Sequence, residues 1–436
     1  MCGIAGFWAG SSATDPAAVL RSMTSAIAHR GPDADGFWLD NAAGIALGHR
    51  RLSIVDLSPA GAQPMLSASE RYVIVYNGEI YNAPELRQTL NANWRGHSDT
   101  EVLLALIERD GVTAAISQIA GMFAFALWDK QSRTLTLARD RAGEKPLYYG
   151  WQRGVLLFGS DLAALRAHPA FAAGLDPVAL ALYLQQGAVP GRLSIYQGIH
   201  KLPPAHYVQF TEADLRAQIQ PTPLCYWDYA AIAAQGLTKP FTGSDADMLA
   251  ELDPLLRRAV KGQMLSDVPL GAFLSGGIDS SLIVALMQAQ AAQPVRTFTI
   301  GSDSAALSEA KAAEAVARHL GTHHTTLTVT AQQARDIIPT LPSMYSEPFA
   351  DSSAIPTALV CQLARPHVTV ALSGDGGDET FGGYNRYLMA EKLWRQLGWL
   401  PRPVRQLLAT LSGAIPSAQL DKLGKLTHRD FALLGD

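Results

Sequence analysis

Apolar residues in the first half of the chain fall in short runs of strand length, each closed by turn-forming residues. "GIAGFW", "GIALGH", "RYVIVYNG", "GMFAFALWD", "TLTLARD", "PLYYGW" and "GVLLFGS" all read as strands. Helical spacing interrupts them twice, roughly over 15–28 and 100–108. Many strands with few helices predict two sheets with helices packed outside. From Asp245 the pattern alternates. "MLAELDPLLRRAVKGQM" is helical, "PLGAFL" a buried strand and "SSLIVALMQAQAA" helical. "VRTFTI" is a strand, "EAKAAEAVARHL" a helix and "HVTVALSG" a strand, and the tail from Trp394 is helical. Such alternation predicts a parallel sheet with helices on both faces and ligands at the carboxyl ends of its strands. Between the two textures, prolines and a polar, turn-rich stretch predict a linker, either a surface loop or a packed strap. The expected organisation is therefore a first domain over 1–210, a linker over 211–244 and a second domain over 245–436.

Composition narrows the function classes. The 436 residues are 48% hydrophobic and 17% charged, with a formal net charge of -4. That balance argues against a nucleic-acid surface or a polybasic membrane patch. No apolar run is long enough to span a bilayer, and no basic leader with an apolar core opens the chain. Three cysteines, Cys2, Cys225 and Cys361, are too few and too scattered for a disulfide framework. The expectation is a cytoplasmic protein in which Cys225 and Cys361 are buried apolar fillers.

Candidate chemistry sits in three places. Cys2 directly follows Met1, and removal of Met1 would leave a thiol and an α-amine on one residue, a nucleophile with its own base. In "PLGAFLSGGIDSS" a strand ends at Leu274; Ser275, Gly276 and Gly277 follow, and Asp279, Ser280 and Ser281 open a helix. Glycine N–H groups and a helix N-terminus make an anion site. No Gly-Lys-Ser/Thr follows, so this is not a Walker A loop. An aspartate inside a phosphate loop repels phosphate unless Mg²⁺ bridges the two. In "LSGDGGDETFGGY" Asp375, Asp378 and Glu379 crowd another strand end. Each residue also has a plain structural reading: Arg51 as a surface ion pair, Asp99 as a helix N-cap, Asn77-Gly78 as a hairpin turn. His29, His97, His323 and His324 lack metal-ligand spacing.

Taken together these motifs resemble glutamine-hydrolysing asparagine synthetases. "SGGIDSS" and "LSGDGGDETFGGY" are similar to the family's pyrophosphate loop and its partner. "MCGIAG", "HRGPDADG", "HRRLSIVD", "GAQPM", "YNGEIYN", "HSDTE", "GMFAFALWD" and "RDRAGEKPLYYG" are similar to its class II glutamine amidotransferase domain. The resemblance implies an α+β N-terminal-nucleophile αββα sandwich followed by an α/β parallel-sheet, Rossmann-like ATP-pyrophosphatase domain. It implies Cys2 as nucleophile, with the Asn77 side chain and the Gly78 N–H as oxyanion donors. It implies glutamine binding by Arg51, Leu52, Ser53, Ile54, Val55, Asn77, Gly78, Glu79 and Asp99, with Arg51 clamping the α-carboxylate. It implies ATP binding by Leu274, Ser275, Gly276, Gly277, Asp279, Ser280, Ser281, Ile300, Ser373 and Gly374. Mg²⁺ falls to Asp279 and Asp378, and Asp375 stands where many members carry a glutamate tied to acyl-adenylate formation. "EPFADSSAIPT", with Glu347 and Asp351, is expected to line the acceptor pocket.

The implied reaction is ATP-dependent amidation of aspartate with ammonia from glutamine, through a β-aspartyl-adenylate. Two other readings stay open: amidation of another carboxylate, such as a sugar acid in exopolysaccharide synthesis, and a glutaminase or binding remnant without ligation. Family members usually continue past this chain's end, and it has no counterpart of their later Arg-x-Pro-Phe-Leu-Asp run. The second domain is accordingly expected to be incomplete. The residues leave the oligomeric state open, a homodimer among the options.

Overall fold

The strongest apolar runs form two stacked six-stranded sheets. The computed structural model describes residues 1–10, 15–302 and 309–413. The first sheet is ordered β10 (Ile199–Lys201), β8 (Tyr148–Gln152), β9 (Val155–Gly159), β1 (Gly3–Trp8), β3 (Ile45–Arg51) and β2 (Ala34–Asp40). The second is ordered β12 (Leu224–Cys225), β11 (His206–Phe210), β7 (Thr134–Arg139), β6 (Gly121–Asp129), β5 (Tyr72–Ile80) and β4 (Met65–Leu66). The assigned ladders are antiparallel.

Side-chain alternation explains the layering. Val73, Val75, Ala124, Ala126 and Trp128 point into the core between the sheets, where they meet Ile4, Trp8, Leu47 and Phe158. Their neighbours Ile74, Tyr76, Phe123, Phe125 and Leu127 point the other way and pack with Val102, Leu103 and Leu106 of the helix Asp99–Asp110. The first sheet does the same with Ala5, Phe7 and Ala46 under Leu20 and Met23 of the helix Pro16–Ser25. A strand buried on both faces reads as a continuous apolar run, and that is why these segments stood out. The result is the expected four-layer sandwich of helix, sheet, sheet and helix. β2 went unnoticed in the sequence because it is a largely open edge strand, exposed at Ala34, Asp35 and Phe37.

The second domain is built on a four-stranded parallel sheet ordered β15 (His323–Val329), β14 (Arg296–Ser302), β13 (Leu270–Phe273) and β16 (Val370–Leu372). On one face Ala272, Leu274 and Leu372 pack with Val284, Met287, Ala313 and Ala317 of two crossover helices. On the other, Phe298 packs with Ala364 and Val368. β15 escaped the pattern because "HHTTLTV" is polar and lies at the sheet edge. The expected helical tail is present as Asn385–Leu397 and Arg402–Gly413; the rest of it lies outside the described residues.

The stretch 211–244 carries structure of its own. Thr211 caps the helix Glu212–Ala217 in a capping box, β12 pairs His206 with Cys225, and a further helix spans Tyr229–Thr238. The first domain's sheet thus extends to Cys225. Two expectations need correction: Cys225 and Cys361 are both exposed, not buried fillers. Cys225 sits on a two-residue edge strand, and Cys361 lies off the face by which Ala354, Leu359 and Ala364 bury their helix. Among the described residues no helix is long and apolar enough to cross a membrane.

The core between the sheets should dominate stability. Trp128 is fully buried, its ring edge-on to Trp8 at 5.0 Å. Trp128→Ala leaves a large cavity and is expected to cost about 3–5 kcal/mol, read as a lower denaturant midpoint. A loss below about 1 kcal/mol would contradict this packing.

Candidate active site

β1 begins at Gly3 in the middle of the first sheet, paired to β3 on one side and β9 on the other. Cys2 is therefore held at the mouth of a buried strand. Its Sγ lies 3.6 Å from the Leu52 carbonyl and 3.4 Å from the Leu52 N–H, and Arg30 Nε donates to its carbonyl at 3.2 Å. Burial pushes the thiol pKa up, opposed by the Leu52 hydrogen bond and the nearby terminal amine. A thiol so placed needs a base before it can attack. Burial lowers the terminal amine of the intact chain, that of Met1, to about 6.

Around the thiol lies a cavity of about 490 Å³. It brings together Cys2, Arg51, Leu52, Ile54, Val55, Asn77, Gly78, Glu79 and Asp99, as the motifs led one to expect. Ser53 stands beside them with its N–H donating to Asp33 at 2.8 Å. Asn77 and Gly78 are not a hairpin turn. They lie within β5, opposite Ala124 and Phe123, where a Cβ on Gly78 would come within 2.7 Å of Phe123. Asn77 is 1% exposed, and its Nδ2 has no hydrogen-bond partner among the described residues. A buried amide without a partner is costly, and an oxyanion would satisfy it.

The cavity carries charge of both signs. Arg51 is buried, not a surface ion pair; its guanidinium donates to the carbonyls of Asp56 and of Ser58 and meets no carboxylate among the described residues. Asp99 begins its helix, but the N-cap is Ser98. The Asp99 carboxylate instead accepts from Tyr76 Oη at 3.0 Å, Ile80 N at 2.9 Å and Thr100 N at 2.8 Å, while burial pushes its pKa up. Burial, and then the charge of Asp99, raises Glu79 to about 7. A buried cation and two carboxyls lining one cavity suit a ligand bearing both an α-carboxylate and an α-ammonium. Lys145, buried and with its pKa lowered by that burial, also lines the cavity. It lies within "GEKPLYYG", but nothing in that motif's spacing marks the lysine. The cavity continues into the second domain, where Phe273, Cys361, Val368 and Ala371 line it.

The second cluster forms where β13 and β16, neighbours in the parallel sheet, end side by side. Ser275 and Ser280 share a hydrogen bond of 2.9 Å, and Gly277 N–H donates to Ser275 Oγ at 3.2 Å. Gly276 is at φ 82°, where a Cβ would also strike Ala313 N at 2.7 Å. Gly374 lies against the other loop, since a Cβ there would meet Ser280 N at 2.7 Å; one on Gly377 would meet the Asp279 carboxyl at 2.6 Å. Asp279 therefore stands beside the Asp375–Asp378 turn, where Ser373 Oγ donates to Asp375 at 2.9 Å. Ser281 Oγ is buried without a partner among the described residues. Glu379 accepts from Tyr384 Oη at 2.8 Å. Among the described residues no group of three or more acidic, histidine or cysteine side chains is arranged to hold a metal unaided. Carboxylates of Asp279 and of the Asp375–Asp378 turn beside a glycine-rich loop still fit Mg²⁺, which commonly takes one or two protein carboxylates and fills the rest of its shell from other oxygen ligands and water.

Some expected residues sit elsewhere. Leu274 is 1% exposed and packs in the core, with its N–H donating to the Phe298 carbonyl at 2.9 Å, so its side chain is closed to a ligand. Ile300 lies inside β14, not at its end, and packs against Leu327 and Val329. Glu347 turns toward the first domain, pairing with Lys201 at 2.9 Å and accepting from Ile195 N at 2.7 Å. Asp351 accepts from Ser353 N at 2.7 Å just before the helix Ala354–Ala364.

Comparison with known proteins agrees with both halves. The family described as "Glutamine amidotransferase domain" matches residues 1–221, and "Asparagine synthase" matches 251–433. Asparagine synthetase (glutamine-hydrolyzing) 1 of Bacillus subtilis is 34% identical over 97% of this chain and 65% of its own. A Methanocaldococcus jannaschii protein named for the same activity is 36% identical over 85% of this chain and 73% of its own. Asparagine synthetase B (glutamine-hydrolyzing) of Escherichia coli is 32% identical over 82% of this chain and 59% of its own. The chain thus spans roughly two thirds of the length of the curated relatives it matches.

Glu79 makes the site sensitive to pH. With its pKa raised to about 7, the carboxyl is ionised above that value and protonated below it. An ammonium held there is therefore expected to lose affinity as pH falls, by several-fold between about pH 8 and about pH 6. Glutamine titrations of a Cys2→Ala protein would show the drop, and Glu79→Gln should flatten it. A pH-independent affinity in the Cys2→Ala protein would remove Glu79 from ligand binding.

Proposed function

The chain belongs to the glutamine-hydrolysing asparagine synthetase family, and from that premise we propose that it makes asparagine from aspartate with nitrogen taken from glutamine. The observation that carries the first half is the unpaired, buried Asn77 Nδ2 in one cavity with the Cys2 thiol, the Arg51 cation and the Glu79 and Asp99 carboxyls. In this reading Met1 is removed. The Cys2 α-amine then takes the thiol proton, and sulfur attacks the side-chain amide carbon of glutamine. Asn77 Nδ2 and the Gly78 N–H stabilise the oxyanion, the α-ammonium returns its proton to the amide nitrogen, and ammonia leaves as the thioester forms. Water then attacks the thioester carbon and releases glutamate and the thiol. Arg51 holds the α-carboxylate, and Glu79 with Asp99 holds the ammonium.

The second half rests on the paired loops after β13 and β16. The N–H groups of the Ser275–Gly277 turn and of the helix opened by Asp279 cradle the ATP phosphates. Asp279 and Asp378 would hold Mg²⁺, which neutralises charge on the phosphates. The aspartate side-chain carboxylate attacks the α-phosphorus, pyrophosphate departs, and the acyl-adenylate gives the carbon a good leaving group. Ammonia then displaces AMP. A cavity that begins at Cys2 and is walled by both domains supports transfer of ammonia away from bulk water, where it would be protonated. The three thiols are free, in keeping with a reducing, cytoplasmic setting.

The test is Cys2→Ala. Glutamine-dependent asparagine formation should disappear while formation from added ammonium salt continues at a comparable rate. Cys2→Ser should be nearly as damaging, because a hydroxyl ionises far less readily than a thiol. Full glutamine-dependent synthesis by Cys2→Ala would refute the assignment.

A further inference from the structure

Asp267 belongs to the second domain, just ahead of β13, yet its polar contacts lie in the first. Its Oδ2 accepts from the Asp56 N–H at 2.8 Å and lies 2.7 Å from His97 Nε2. Its own N–H donates to the Ile54 carbonyl at 2.9 Å. Asp56 is the node of this cluster. Its fully buried carboxylate accepts from His97 N–H at 2.8 Å and from the Ser58 N–H at 3.1 Å and hydroxyl at 2.5 Å. Its backbone is left-handed at φ 56°, a conformation an aspartate tolerates at some cost and keeps only when its surroundings hold it there. Its carbonyl then receives one arm of the Arg51 guanidinium, and the Ser58 carbonyl receives the other at 3.2 Å.

The chain of contacts therefore runs from the second domain, through one strained peptide, to the cation that faces the ligand cavity. We propose that Asp267 is a positioning residue for glutamine: from across the domain boundary it fixes the Asp56 turn and so aims Arg51 at the substrate α-carboxylate. The inference rests on the reading of the first domain as a glutaminase. Two consequences separate it from a general structural role. Asp267 touches neither the thiol nor Asn77, so its loss acts on substrate grip and much less on the bond-breaking steps. Asparagine can replace only part of it: both contacts fall on one oxygen, which an amide oxygen supplies as an uncharged and weaker acceptor.

Steady-state glutamine hydrolysis by the full chain tests this. Asp267→Ala is expected to raise KM for glutamine about tenfold, with kcat falling by much less and the melting temperature nearly kept. Asp267→Asn is expected to fall between that variant and wild type. Should Asp267→Ala fail to fold, His97→Ala, which removes an exposed ring from the same carboxylate, is expected to raise KM about threefold. An unchanged KM in the folded Asp267→Ala variant, or in His97→Ala if that is the one available, overturns the inference while leaving the glutaminase reading intact. Loss of kcat with KM unchanged overturns it as well. A wild-type chain that hydrolyses no glutamine sinks the functional reading and this inference with it.

Discussion

A chain terminus is ordinarily the least ordered part of a protein, and a nucleophile at residue 2 cannot afford that. The structure meets the constraint by making the first strand a central one. Gly3–Trp8 is hydrogen-bonded on both edges, and its side chains are buried on both faces. Cys2 inherits that rigidity. The cavity follows from it: β3 brings Arg51 alongside, and the facing sheet brings Asn77, Gly78 and Glu79 on β5. Two sheets packed face to face thus bring the Cys2 thiol, at the mouth of a strand, and Asn77 and Gly78, within one, to a single cavity.

The second domain solves a different problem with the same economy of placement. Adjacent parallel strands end together, so loops distant in sequence meet at one point. Glycine at positions 374 and 377 lets them touch, because any side chain there would collide with Ser280 or Asp279. The two domains are joined by polar contacts as well as by a shared cavity. Asp267 reaches Asp56 and His97, and Lys201 reaches Glu347. Lys201 and Glu347 are largely buried, and charged groups of this kind are expensive to leave unpaired once water is excluded.

Legibility in the sequence followed burial. Strands such as Gly121–Asp129, apolar on both faces, announced themselves. The exposed edge strand Ala34–Asp40 and the polar edge strand His323–Val329 did not, because their period is blurred by solvent-facing side chains. The residues expected to bind glutamine, Ser53 apart, line one cavity. What the sequence could not convey was orientation. Nothing in "PLGAFL" says that Leu274 faces the core, and nothing in "EPFADSS" says that Glu347 turns to Lys201. Cys225 and Cys361 looked like fillers by residue type, yet strand length and helix phase put both outside. His97 and Asp267 are 170 positions apart, and no local pattern could have joined them.

The central claim is that one chain moves nitrogen from the amide of glutamine to the side chain of aspartate. Supplying the purified protein with amide-¹⁵N glutamine, aspartate, ATP and Mg²⁺ tests it most directly, with product nitrogen followed by mass spectrometry and pyrophosphate measured in parallel. The account predicts ¹⁵N-labelled asparagine, formed with an equal amount of pyrophosphate. Release of labelled ammonia and glutamate with neither asparagine nor pyrophosphate would contradict it.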